Sequence, residues 1–238
     1  MVDEGSRTGQ ETAVLLSGGL DSAVLVADEA SRGMVQPVYV QTGLAWESTE
    51  LRFVSRLLDA RAFRERVRPL ACLAFDMRDV YPASHWAVKG EPPAYDTPDE
   101  DVYIEGRNIV LLTKTAVFCA RRRIGRVALG PLAGNPFPDA TPAFFTQMAR
   151  ALSLGLAHEI VISAPYSHLH KADVIRLGAR LGVPLDLTLS CMNPPGDRHC
   201  GRCSKCRERQ QAFAAAGLAD PTRYDLDRRP SGGGPARP

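Results

Sequence analysis

Four cysteines, Cys191, Cys200, Cys203 and Cys206, crowd into one short stretch with glycines and prolines between them. Four thiolates at about 2.3 Å around a tetrahedral ion form a closed structural zinc site, with no position left for substrate. An iron–sulfur cluster is the other group that four cysteines can hold. The neighbours Asp197, Arg198, Lys205 and Arg207 are polar, which argues against unligated thiols in an apolar core. His199 beside Cys200 would be a redundant fifth ligand. A second constellation is the run Leu16-Ser17-Gly18-Gly19-Leu20-Asp21-Ser22 after a short apolar segment. Two glycines let the backbone approach a ligand closely. Two serine hydroxyls flank them, and a helix beginning at Leu20 would aim its unpaired N–H groups and positive dipole end at the turn. That arrangement suits phosphate or pyrophosphate. It is not the lysine-bearing phosphate loop, because no lysine follows the glycines, and it is not GxGxxG. A plain tight turn capped by serine is the competing reading. Asp21 reads either as an acid favouring the helix dipole or as a contact for Mg²⁺ on the phosphates.

Several residues elsewhere carry charge or polarity toward the same region. Arg107, in Glu105-Gly106-Arg107-Asn108, can clamp a phosphate or carboxylate through two donors. Asn108 reads as a helix N-cap. Lys171 opens a helix, and a cation at a helix's positive end points to an anionic partner. Glu47, beside Trp46, follows the second expected strand and is a substrate candidate. Gly130 at the end of the fourth expected strand, and Asn135 and Asp139 in the loop Gly134-Asn135-Pro136-Phe137-Pro138-Asp139-Ala140-Thr141, are the others. Thr141 reads as a helix cap with Pro142 in the first turn.

These residues need a scaffold, and the 238-residue chain supplies one of ordinary globular composition: 45% apolar and 24% charged. Short apolar runs are expected as strands at residues 12–16, 35–41, 67–75, 126–130 and 158–163, with an extended piece at 183–188. Helical patterns fall at residues 20–32, 47–60, 108–122, 141–154 and 171–181. Strands alternating with helices predict an α/β fold with a doubly wound, mainly parallel five-stranded sheet. Ligands in such a sheet sit at the carboxyl ends of the strands, where the serine–glycine turn lies. Residues 1–11 read as a flexible leader and residues 225–238 as a disordered tail. Residues 12–186 form the expected main domain, 76–106 a proline-rich insertion or lid within it, and 187–224 a C-terminal Cys₄ zinc-binding segment. No apolar run approaches the roughly 18 residues of a membrane span. The polar N-terminus carries no secretory pattern, so a cytoplasmic location is expected. The net charge of +2 gives no electrostatic footprint for nucleic acid.

The serine–glycine run, the Arg107-Asn108 turn, the Lys171-Ala172 helix start and the four cysteines followed by Arg207 together resemble the 7-cyano-7-deazaguanine synthase family. That family belongs to the pyrophosphatase-loop, ATP-dependent adenylating enzymes. The resemblance covers about residues 12–220. It implies an adenine nucleotide alpha hydrolase-like, Rossmann-like fold and a carbon–nitrogen ligase that turns 7-carboxy-7-deazaguanine and ammonia into the nitrile by way of an amide. It also implies ATP, Mg²⁺ and Zn²⁺ as cofactors, and a homodimer. Leu16, Ser17, Gly18, Gly19, Leu20, Asp21, Ser22, Arg107 and Asn108 would then hold ATP. Asp21, Arg107 and Lys171 would act in catalysis, and the four cysteines would hold zinc. The chain departs from the family at three places, one of them Glu105 where the family's Pro-Gly-Arg-Asn has proline. Family members carry Gln-Arg-His after the second strand, where this chain reads Gln41-Thr42-Gly43-Leu44-Ala45-Trp46-Glu47. They carry Asp-x-Ser-Gly-Tyr-Pro-Asp-Cys-Arg after the fourth strand, where this chain keeps the proline and aspartate and loses the tyrosine and arginine. Two alternatives therefore stand beside the nitrile synthase. One is an enzyme of the same type adenylating another carboxylate; the other is a nucleotide- and zinc-binding module without turnover.

Overall fold

A computed structural model describes residues 11–225; the expected leader and tail lie, save Glu11 and Asp225, outside them. Five strands, β1 (Thr12–Leu15), β2 (Val35–Gln41), β3 (Ala71–Ala74), β4 (Arg126–Ala128) and β5 (Val161–Ser163), form one sheet among the described residues. Its order is β3-β2-β1-β4-β5, and every pairing is parallel. The order reverses between β1 and β4, which places a topological switch point at the carboxyl end of β1. Among the described residues seven α-helices accompany the sheet: α1 (Leu20–Arg32), α2 (Glu47–Leu58), α3 (Trp86–Lys89), α4 (Arg107–Arg122), α5 (Pro142–Leu156), α6 (Lys171–Arg180) and α7 (Ser204–Ala216).

The period-two alternation of β1 shows why the sheet needs two helical layers. Val14 points into a core with Val24 of α1, Val54 of α2, Val174 of α6 and Phe213 of α7. Its neighbour Ala13 points into the opposite core with Leu112 and Ala116 of α4 and Phe145 of α5. A strand buried on both faces reads as a continuous apolar run, as residues 12–16 do. A third apolar cluster joins Leu44, Trp46 and Phe53 to Tyr81, Ala87, Val102 and Ile104 of the insertion and to all four clustered cysteines. Residues 76–106 are thus tied down rather than free: Ala94 bridges Cys203, Arg207 donates to the Thr97 carbonyl at 3.0 Å, and the Tyr95 hydroxyl donates to Gln210 at 3.1 Å.

Three local expectations need correction. Residues 183–188 are not extended; Pro184 starts a 3₁₀ turn (Leu185–Leu187) closed by Leu187 N–H to the Pro184 carbonyl at 2.9 Å. Asn108 is not an N-cap: Gly106 is, with φ +71°, and Asn108 lies inside the first turn. Helix α7 was not expected at all. Its buried positions are Ser204, Cys206, Arg209, Ala212 and Phe213, so polar residues occupy the inward face and no apolar stripe marks it.

Candidate functional site

The turn after β1 is held open by its own side chains. The Ser22 hydroxyl donates to the Gly19 carbonyl at 3.0 Å and accepts from Ser17 N–H at 3.3 Å. The Ser17 hydroxyl accepts from Gly19 N–H at 3.3 Å and lies 3.3 Å from that of Ser22. Gly18 has φ +76°, and a β-carbon there would stand 2.9 Å from Val54 of α2. Both facts demand glycine. Leu16 and Leu20 anchor the turn in the core from either side. Gly19 caps α1 without any side-chain hydrogen bond, so the first-turn amides of α1 are left for a ligand.

A cleft opens beside this turn. Ser17, Gly19, Asp21 and Ser22 line one end, and Arg107, Asn108, Asn135 and Asp139 another. Leu15, Val38, Val40, Leu111 and Leu129 give it an apolar wall, and Gly130 lies against Asp21. A second lobe shares Asp21, Gly130 and Asn135 and adds Lys171, Lys205 and Glu208. There Lys171 lies 3.4 Å from Asp21 and forms a short ion pair with Glu208, and Lys205 meets Glu208 at 2.8 Å. The anionic partners that a lysine at a helix start calls for are therefore within the chain. Burial pushes the Asp21 carboxyl up, more than Lys171 pulls it down. Burial also works against charged Lys171, yet Asp21 and Glu208 leave it firmly protonated. Burial raises Glu208 as well, but Lys171 and Lys205 outweigh it and bring it down to about 2. The Asp21 Oδ1 and Arg107 Nε atoms are buried with no partner. Buried orphans of this kind call for a ligand or ion.

The substrate candidates separate. Asp139 accepts from Asn108 N–H at 3.0 Å and, through its backbone carbonyl, from the Asn108 side chain at 3.0 Å. It therefore fixes the start of α4 and with it Arg107. Asn135 reaches the cleft while its side-chain oxygen accepts from Phe137 N–H at 2.9 Å. Glu47 does not line the main cleft. Its carboxylate accepts from Thr42 N–H (2.7 Å), the Thr42 hydroxyl (2.9 Å) and Gly43 N–H (3.0 Å), and so closes the β2–α2 loop. Sequence reasoning missed Tyr39 and Glu50 in the cleft, and Lys205 and Glu208 in the second lobe. Glu50 had a signal: it is an acid one turn before Phe53 and Val54 on the buried stripe of α2. The Tyr39 hydroxyl donates to it at 2.7 Å.

The four cysteines are buried, and their sulfur atoms all lie within 4.8 Å of one another. The Cys200–Cys206 and Cys203–Cys206 sulfur separations are 3.9 and 3.5 Å. A tetrahedron with 2.3 Å metal–sulfur bonds has edges of about 3.8 Å, so the set fits zinc. Backbone amides of Asn193 and Cys200 donate to Cys191 Sγ at 3.4 and 3.2 Å, and that of Arg202 to Cys200 Sγ at 3.4 Å. Such outer bonds orient thiolate ligands. Cys191 joins the other three sulfurs although eight residues separate it from Cys200, because the His199 ring accepts from Ser190 N–H at 3.0 Å and folds the loop back. His199 is thus a loop brace. Among the described residues no helix is long and apolar enough to cross a membrane.

A sequence profile described as "Queuosine biosynthesis protein QueC" matches residues 11–217. The chain is similar to the 7-cyano-7-deazaguanine synthase of Anaeromyxobacter dehalogenans, 34% identical over 226 residues covering 90% of this chain and 96% of that one. It is 36% identical to that of an Azoarcus species, covering 89% and 95%. It is 34% identical to that of Methanoculleus marisnigri, covering 91% and 99%.

Proposed function

Because the chain belongs to the queuosine biosynthesis protein QueC family, we propose that it is an ATP-dependent carbon–nitrogen ligase that converts 7-carboxy-7-deazaguanine and ammonia into 7-cyano-7-deazaguanine. The observation that carries this reading is the convergence of the open turn 17–22, Asp21, Lys171 and Arg107 on one cleft, with buried polar atoms awaiting a ligand.

A carboxylate is a poor electrophile and must be activated. In this reading the first-turn amides of α1, with Ser17, Gly19 and Ser22, hold the phosphates of ATP. Asp21, through the oxygen left without a partner, would hold the Mg²⁺ that offsets charge on those phosphates. A substrate carboxylate oxygen attacks the α-phosphorus, the bond to pyrophosphate breaks, and an acyl-adenylate forms. Lys171 and Arg107 offset the charge that builds on the departing pyrophosphate and the adenylated carboxyl. Ammonia then attacks the carbonyl and AMP leaves, giving the amide. A second adenylation, on the amide oxygen, and loss of AMP give the nitrile. Cys191, Cys200, Cys203 and Cys206 hold Zn²⁺, which organises the C-terminal segment and takes no part in the chemistry. The family resemblance further implies a cytoplasmic homodimer, and the net charge of +2 favours a small-molecule substrate over nucleic acid.

Mass spectrometry of the purified protein with ATP, Mg²⁺, ammonium and 7-carboxy-7-deazaguanine tests the proposal. The expected outcome is AMP together with amide or nitrile. Bound ATP and zinc without either product would move the acceptor to a different carboxylate, which the altered loops at residues 41–47 and 134–141 would then explain.

A further inference from the structure

Glu50 is a carboxyl group that the adenylation scheme leaves without a task. It lines the cleft that holds Ser17 and Arg107, yet the residue is only 8% exposed. The groups facing it come from three elements. Tyr39 of β2 donates a hydrogen bond at 2.7 Å. Arg107 of α4 acts on it through charge, but no direct ion pair joins the two among the described residues. On α2 itself Glu47 opposes its ionisation, and the Trp46 side chain, just before the helix, supports it. Burial is the dominant influence and pushes the carboxyl up to about 7. A buried acid supported by a hydroxyl donor and a nearby cation, facing open space, is built to be ionised when a ligand supplies further donors.

We propose, building on the function above, that the Glu50 carboxylate is the group that reads the base: it accepts hydrogen bonds from the ring N–H and the exocyclic amine of the deazaguanine. A guanine-type ring presents those two donors side by side, which a carboxylate accepts in parallel. Adenine presents a donor beside an acceptor, which only a protonated carboxyl can match. The two purines in the cleft therefore demand opposite protonation states of Glu50. Tyr39 and Arg107 both favour the anion, so the structure favours the guanine-type edge over the adenine of ATP.

Calorimetric titration of the zinc-loaded full-length protein, with a non-hydrolysable ATP analogue present, tests this. The ligands are 7-carboxy-7-deazaguanine and its analogue lacking the 2-amino group. Wild type is expected to prefer the amino-bearing acid by roughly 10- to 100-fold, the effect of one hydrogen bond to a charged group. Its affinity for that acid rises with pH through about 7, where Glu50 ionises. In Glu50→Gln the preference collapses while affinity for the ATP analogue stays within about threefold. Tyr39→Phe provides a second arm: it keeps the preference and moves the pH midpoint upward, because the anion has lost a donor. A Glu50→Gln protein that discriminates as wild type does, or a Tyr39→Phe midpoint that stays put, overturns the inference and leaves the proposed function standing. Loss of affinity for the ATP analogue, with wild-type binding of it tightening at low pH, reassigns Glu50 to adenine and overturns the inference too. A wild-type protein that binds neither acid overturns the proposed function and the inference with it.

Discussion

The two ends of the cleft are built on different electrostatic terms. At the second lobe the charges meet inside the chain: Asp21 with Lys171, Lys171 with Glu208, and Glu208 with Lys205. At the main lobe Arg107 and Glu50 share the cleft without a direct pairing, and Arg107 Nε is buried without a partner. The first arrangement is fixed before any ligand arrives, so it loses little to reorganisation when charge develops nearby. The second is completed by what binds. The paired end also rests on a distant support, because Glu208 lies two residues beyond Cys206 in the first turns of α7.

Removing that support is the harshest way to break the contrast. A structural zinc contributes an apparent 10–16 kcal/mol in small domains, about as much as the whole stability of a typical protein. Metal removal by a chelator, or Cys206→Ser, is expected to unfold the C-terminal segment and with it the Lys171–Glu208 contact. The chain's two tryptophans report it directly. Trp46 and Trp86 stack at 5.6 Å within the apolar cluster that contains the cysteines. Their emission should shift to the red as the metal is withdrawn, and affinity for a non-hydrolysable ATP analogue should fall in step. Tryptophan emission unchanged by chelation would show that the cluster holds without metal.

A smaller blow falls on the lysine alone. Lys171→Met leaves the half-buried Asp21 and Glu208 without their shared cation. Breaking one side of a fully buried pair costs about 3–5 kcal/mol, and the loss here should fall below that range because water reaches all three side chains and Lys205 still meets Glu208. Urea unfolding should recover part of the loss in the double variant with Asp21→Asn, whose side chain needs no cation. Additive losses would mean that the two residues do not depend on each other. The corresponding change at the open end, Glu50→Gln, should cost little stability, because a neutral side chain replaces an acid that burial already disfavours as an anion.

The same contrast governs what could be read in the sequence. The turn 17–22 was legible because its polar atoms are contiguous and its glycines meet a local need at Gly18. The cysteine set was legible because thiols have few other uses at that spacing. The sheet's strands and α1 were legible from apolar runs and a stop at Gly33. Glu208 and Lys205 were not, because α7 buries serine, cysteine and arginine and hides its helical period. Glu50 was not singled out because its partner Tyr39 comes from another element and burial gives it its character. Glu47 attracted attention by position, whereas its carboxylate is spent on the backbone of residues 42 and 43.

The finest test concerns how Arg107 is held at the open end. Asp139 takes up the backbone N–H of Asn108, an orphan donor of the first turn of α4, from thirty-one residues away. It also places a carboxylate at the helix's positive end, which the dipole favours. Losing such a cap costs about 1 kcal/mol. Asp139→Ala should therefore lower the unfolding free energy by about that amount, and Asp139→Asn, which keeps an acceptor, by less. The informative quantity is the ratio of two affinities. The cap positions Arg107 and leaves Lys171 and the turn 17–22 untouched, so the variant should weaken the carboxylate substrate several-fold more than it weakens the ATP analogue. Equal losses for both ligands would mean that α4 orders the whole cleft. In that case the distinction between a prepaired end and an open one would describe the charges alone and not how the two ends bind.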